Sequence, residues 1–194
     1  MPILRAYHTD DEGSQSFREA WYDEETRQFV VNRGPVGHLS ETPVVEDELD
    51  PEEGERLLEA FAAQCEEDGY AELTLEEQSW VHVRLPLKGT EPSAREKTLA
   101  STLSEALTGH LAWRGLGTVE GTVFGPGRMS ILVLTPAPKA ALKAIVSCVR
   151  EAARSDLSKL VLAVAPGTDA SAAKVRHPLP ARGEFVADPL PQQD

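Results

Sequence analysis

The first 78 residues contain no lysine, and only five arginines stand there against 22 acidic side chains. A segment at −17 repels a polyanion at long range, which argues against non-specific nucleic-acid binding by this half. Residues 79–194 carry 14 basic and 10 acidic side chains, so the whole chain comes to −13. Such asymmetry predicts a domain boundary near residue 78 and different surface roles on its two sides. Cysteine is also scarce: Cys65 and Cys148 are the two present, far apart and each inside a helical pattern. Buried free thiols are expected, not a disulfide framework. No apolar run reaches the ~18–20 residues a membrane span needs. Met1-Pro2-Ile3-Leu4-Arg5 turns acidic without a basic and then apolar leader, so no secretory signal and a cytoplasmic location are expected.

The first half reads as strands followed by a helix. Ile3–His8, Phe17–Tyr22 and Arg27–Asn32 have strand composition, and Asp10–Ser14 and Asp23–Thr26 supply turns. Arg33-Gly34-Pro35-Val36-Gly37 reads as a glycine-centred turn closing the third strand, and Thr42–Glu48 as a fourth strand. Asp50-Pro51-Glu52-Glu53 combines an N-cap acid, a proline at the first helical position and a glutamate at the third. Leu57, Leu58, Phe61, Ala62 and Cys65 then recur on one stripe, until Gly69 ends the helix. Glu66, Glu67 and Asp68 crowd its last turn, where the helix dipole disfavours acids.

Trp21-Tyr22-Asp23, Val30–Gly37, Asp50–Phe61 and Gly69-Tyr70, in this order and spacing, resemble a WGR domain over residues 3–73. WGR domains occur in poly(ADP-ribose) polymerases and bacterial proteins, where some bind DNA ends and others make interdomain contacts. At the signature Trp-Gly-Arg this chain has Arg33-Gly34-Pro35, so the stacking plane and the phosphate-pairing fork are both absent. The resemblance therefore implies the fold, with Asn32, Arg33 and Gly34 as a candidate binding turn, and does not carry DNA binding with it.

The second half reads as β-α-β-β-α-β. Trp80–Leu87 alternates as a half-buried strand, and Ser93-Ala94-Arg95-Glu96 is a capping box opening a helix through Leu99, Leu103, Leu107 and Leu111. Gly115–Arg128 is a bent, glycine-rich strand, Met129–Leu134 an apolar one, and Pro138 opens a helix through Leu142, Ile145 and Val149. Leu160–Ala165 closes the series. This order predicts a ferredoxin-like module over residues 79–166 within an α+β protein, a fold that by itself names no function. Residues 167–194 hold four prolines and read as a C-terminal tail.

Catalytic chemistry finds little footing. The glycines at 115, 117, 121, 125 and 127 lead into a strand, not a helix, so they make a bulged hairpin and not a phosphate loop. The five histidines show no metal spacing, and His82, the one candidate general base, reads as an exposed or hydrogen-bonded strand residue. The acidic pairs Glu52-Glu53, Glu66-Glu67 and Glu76-Glu77 read as solvated helix ends. No cofactor is expected. Lys139, Lys143, Arg150 and Arg154 give the helix at 138–154 a basic side. The expected function is a non-enzymatic protein-binding or regulatory module of bacterial type, with Glu52, Glu53, Glu66 and Glu67 as a candidate acidic surface. The alternatives are an inhibitor or immunity protein neutralising a basic partner, and a DNA-binding protein of the WGR type.

Overall fold

In the computed structural model, which describes residues 3–40, 43–153, 159–180 and 185–190, the chain is an α+β fold with two antiparallel sheets and three α-helices. It divides into two units, Met1–Leu73 with Trp113–Gly115, and Thr74–Ala112 with Leu116–Asp194.

In the first unit β1 (Ile3–Thr9), β2 (Gln15–Asp23), β3 (Gln28–Pro35) and β4 (Val44–Glu46) form a meander in that spatial order. Short acids set its turns. Asp10 accepts from the amides of Glu12 and Ser14 at 3.0 and 2.8 Å, and Asp23 from those of Glu25 and Thr26. Thr42, the expected start of the fourth strand, lies outside the described residues. Helix α1 (Pro51–Glu67) begins as its sequence predicts, the Asp50 carboxylate accepting from the Glu53 amide at 2.8 Å. It lays Leu57, Leu58 and Phe61 on Ala20, Tyr22, Phe29 and Val31 of the sheet. Gly54 permits the closest approach, because a Cβ there would stand 2.5 Å from the Tyr22 ring.

The expected glycine-centred turn is corrected by the structure. Arg33, Gly34 and Pro35 belong to β3, paired with Arg18, Phe17 and Ser16 of β2. Because β2 starts at Gln15, the hydrogen-bonded ladder has partners beyond Asn32 and continues. Proline then ends the strand, and the turn falls on Val36-Gly37, where Gly37 has φ +91.

Trp113–Gly115 also belongs to this unit. The carbonyls of Trp113 and Arg114 accept from the amides of Ser40 and Gly37, both at 2.8 Å. Trp113 meets Trp21 edge to face with ring centroids 6.4 Å apart.

The second unit places β5 (Ser79–Pro86) at the centre of a five-stranded sheet. It is followed by α2 (Ala94–Ala112), β6 (Thr118–Gly125), β7 (Arg128–Thr135), α3 (Pro138–Ala153), β8 (Val161–Pro166) and β9 (Lys174–His177). Spatial order is β6-β7-β5-β8-β9, all antiparallel, so the first four strands have the split β-α-β connectivity. The capping box at α2 is formed, Glu96 accepting from the Ser93 amide at 2.9 Å and hydroxyl at 2.6 Å. That turn holds the Glu96 carboxyl down at about 2, through the Ser93 hydroxyl first and the Lys88 and Ser93 amides next. Helix α2 buries Leu103, Leu107 and Leu111, and α3 buries Ala141, Ile145, Cys148 and Val149.

The glycine-rich segment is a bulged hairpin, its register shifting between Val119 and Gly121. Gly117 is required just before it, since φ is +103 and a Cβ would stand 1.9 Å from the Leu134 carbonyl oxygen.

Three expectations change in this unit. Residues 74–78, placed before the boundary by their acidity, belong here, and the Gln78 carbonyl accepts from the Gly167 amide at 2.9 Å. Lys174–His177, expected in a tail, is a fifth strand paired with β8. The central strand is not half-buried: Trp80, Val81, His82 and Val83 are all enclosed. The C-terminal part of the chain supplies the second cover. Ala170 and Ala173 pack against the Trp80 cluster, and Phe185 lies against His82 with ring centroids 5.6 Å apart. Residues 181–184 and 191–194 lie outside the described residues.

Candidate functional site

Asn32, Arg33 and Gly34 do not form an exposed binding turn. Asn32 is 1% exposed on β3, and neither oxygen nor nitrogen of its amide has a hydrogen-bonding partner. It stands opposite Glu19, itself buried and held by Arg5, whose Nε donates to the Glu19 carboxylate at 2.8 Å. Burial pushes the Glu19 carboxyl up, and Arg5 opposes the shift. Burial likewise pushes the neighbouring Tyr7 hydroxyl up to about 12. Arg33 alternates to the other face and is exposed. Gly34 has an ordinary φ, and the space for a side chain is limited by Ser40, whose Cα would lie 3.4 Å from a Cβ. The three residues thus face different surroundings and make no common site.

Helix α1 brings acids together at its start. Asp50, Glu52, Glu53, Glu55 and Glu59 line an open concavity shared with Arg56. The Arg56–Glu53 pair, at 3.4 Å, is exposed and neutralises little. Glu66 and Glu67 are exposed at the far end, about 20 Å away at 1.5 Å per residue, so the four expected acids form two clusters on one helix. Asp68, next in sequence, is met by Arg18, which also lies 4.2 Å from the centre of the Tyr70 ring.

Between β1 and α1 runs a groove of about 270 Å³, floored by Leu4, Ala6, Phe61 and Cys65 and rimmed by Glu66 and Glu72. Sequence reasoning missed it. The acids of its rim and the apolar stripe of α1 were readable, but the apposition of β1 to a helix some 60 residues later was not.

The second unit holds a polar network that sequence reasoning also missed. Asp188 is 3% exposed and accepts from Arg84 at 2.7 Å, Arg128 at 2.8 Å and the Ser130 hydroxyl at 2.6 Å. Arg84 further donates to the Val186 carbonyl at 2.7 Å and lies 3.8 Å from the centre of the Phe185 ring. Burial alone would raise the Asp188 carboxyl, but Ser130, Arg128 and Arg84 together hold it below the ordinary value. Arginine in the alternation of β5 was the available signal, since a cation on an enclosed strand requires a partner.

His82, expected to be exposed or hydrogen-bonded, is neither: it is 0% exposed and both ring nitrogens are unpaired. Burial lowers its pKa, and the nearby Ala170 backbone opposes this without a hydrogen bond of good geometry. Glu77 reaches back to the Thr74 amide and hydroxyl, both at 2.9 Å, so this half of the Glu76-Glu77 pair serves a cap. Lys139, Lys143 and Arg150 are exposed on α3, and Arg154 lies outside the described residues. Neither Cys65 nor Cys148 is in a disulfide, and both are buried, with burial pushing the Cys65 thiol up. Among the described residues no group of three or more histidine, cysteine or acidic side chains is placed to hold a metal ion. No helix there is long and apolar enough to cross a membrane. Comparison with family models, with curated proteins and with solved structures found no match to the chain.

Proposed function

We propose that the chain is a protein-binding module whose acidic first unit docks a basic surface of a protein partner. The observation that carries this reading is the outer side of α1, which exposes Glu52, Glu55, Glu59, Glu66 and Glu67 against one exposed arginine, Arg56. Complementary fields accelerate encounter and select partners, and a surface of this sign selects cations. The resemblance of residues 3–73 to a WGR domain supports an interaction role. Arg33-Gly34-Pro35 at the signature position favours protein over nucleic acid as the partner.

Affinity capture with the full chain from its source lysate tests the proposal. A stoichiometric basic protein is expected, released as salt rises and lost with Glu52→Lys, Glu55→Lys and Glu59→Lys combined. Capture that ignores salt and charge reversal overturns the reading. So does a shift of broken or intact DNA duplexes by micromolar protein at low salt with no protein partner captured.

A further inference from the structure

The outer edge of the first sheet is only half covered. Tyr7 of β1 exchanges both backbone hydrogen bonds with Ala71, its amide donating at 2.8 Å and its carbonyl accepting at 2.9 Å. Those groups point away from β2. Alternation along an antiparallel strand turns the N–H and C=O of Arg5 and Ile3 the same way. The pairing at Ala71 is an isolated bridge, and no backbone group among the described residues meets the edge of Arg5 or Ile3. Of the devices that usually blunt an edge, β1 has no proline, lysine or bulge. Its one arginine is turned to the opposite face and tied to Glu19.

Beside this edge lies the groove of about 270 Å³ floored by Leu4, Ala6, Phe61 and Cys65. The volume falls below that of sites enclosing a whole drug-sized molecule, which run from about 300 Å³ upward, and suits a single aliphatic side chain. An open strand edge next to an apolar slot is the arrangement by which strand addition works, main-chain bonds giving affinity and alternate side chains giving specificity. The rim acids Glu66 and Glu72 are exposed. A second copy of β1 in this place would bring two strongly acidic units together, which their fields oppose.

We infer that the Ile3–Arg5 edge binds an extended basic segment of a partner protein by strand addition. An aliphatic side chain of that segment enters the slot between β1 and α1, and a lysine or arginine two residues away, on the same face, meets Glu66. The inference rests on the protein-binding reading and gives it a site apart from the acidic concavity at the start of α1.

The test uses the ¹⁵N-labelled full chain and the capped peptide Thr-Lys-Thr-Val-Thr-Lys-Thr. Saturable shifts and slowed hydrogen exchange at the Ile3 and Arg5 amides are expected. N-methylation of the peptide's central amides, or valine replaced by aspartate, is expected to weaken binding at least tenfold. Ala62→Trp, at an exposed position on the groove, is expected to do the same without unfolding the protein. Glu66→Lys with Glu72→Lys is expected to weaken it about tenfold. Binding indifferent to N-methylation overturns the inference. Shifts confined to Glu52–Glu59, or no binding although the chain captures a basic protein, overturn it while sparing the protein-binding reading. Protection at Ile3 and Arg5 that grows with protein concentration alone assigns the edge to a second copy and overturns it too.

Discussion

Asp188→Ala is expected to destabilise the second unit by about 2–4 kcal/mol. Breaking a buried ion pair from one side costs roughly 3–5 kcal/mol, because the partner's charge stays desolvated. Two features of the structure set the lower figure. The Arg128 side chain is 31% exposed and recovers water readily, whereas Arg84 at 14% does not. Among the described residues, the segment carrying Asp188 is also held by the Phe185 contacts and the Arg84–Val186 bond once its carboxylate is gone. If that segment lifts, both guanidiniums rehydrate, so the loss cannot exceed what docks the segment. Native-state hydrogen exchange at β5 and β7 amides is the suitable assay, since a chain of two units need not unfold as one. Arg84→Ala is expected to share most of its cost with Asp188→Ala in a double-mutant cycle. The pH dependence has a definite sign. A carboxyl held below its unfolded value contributes stability that is fully present above about pH 3.9 and is lost as pH falls through the folded value. The variant lacks that acid-sensitive part. A loss under about 0.5 kcal/mol, or additive costs for the two substitutions, refutes the reasoning.

Gly54→Ala separates two opposing effects. Helix propensity alone stabilises by roughly 0.5–1 kcal/mol, but a Cβ 2.5 Å from the Tyr22 ring must displace it, so a net loss of about 1–3 kcal/mol is expected in urea unfolding. A gain in stability shows that α1 sits farther from the sheet. His82→Leu is expected to change stability at neutral pH by less than about 1.5 kcal/mol, because the substitution breaks no hydrogen bond of the ring. Its second signature is in acid. With its folded pKa lowered, His82 makes stability fall as pH drops below about 6.5, and the leucine variant loses that slope. An unchanged slope places the titrating group elsewhere.

What was legible in the sequence was mostly local. Asp50-Pro51-Glu52-Glu53 and Ser93–Glu96 name helix starts because every bond of a cap lies within a few residues. The bulged hairpin was readable from its glycines for the same reason. The end of β3 was not, because whether Arg33-Gly34-Pro35 turns or extends depends on where β2 begins, some 18 residues earlier. Composition misled at residues 167–180, where prolines read as a tail although Lys174–His177 pairs with β8. The Asp188 network spans 104 residues to Arg84 and 58 to Ser130, and no window of sequence contains both ends.

The acidic last turn of α1 is where sequence and structure bear most directly on function. Acids at a helix C-terminus cost roughly 0.3–1 kcal/mol each, so the fold alone does not call for Glu66, Glu67 and Asp68 there. Asp68 has a structural answer, since Arg18 reaches it from β2 and lies against Tyr70, tying the helix end to the sheet. Glu67 is exposed and its position has no structural account. Glu66 differs from both: it stands on the rim of the groove beside the open Ile3–Arg5 edge. A negative charge at that point disfavours the helix and favours a cation on a strand laid along β1. The same crowding that looks like an error in helix design is thus, at one of its three positions, what a basic extended segment would recognise.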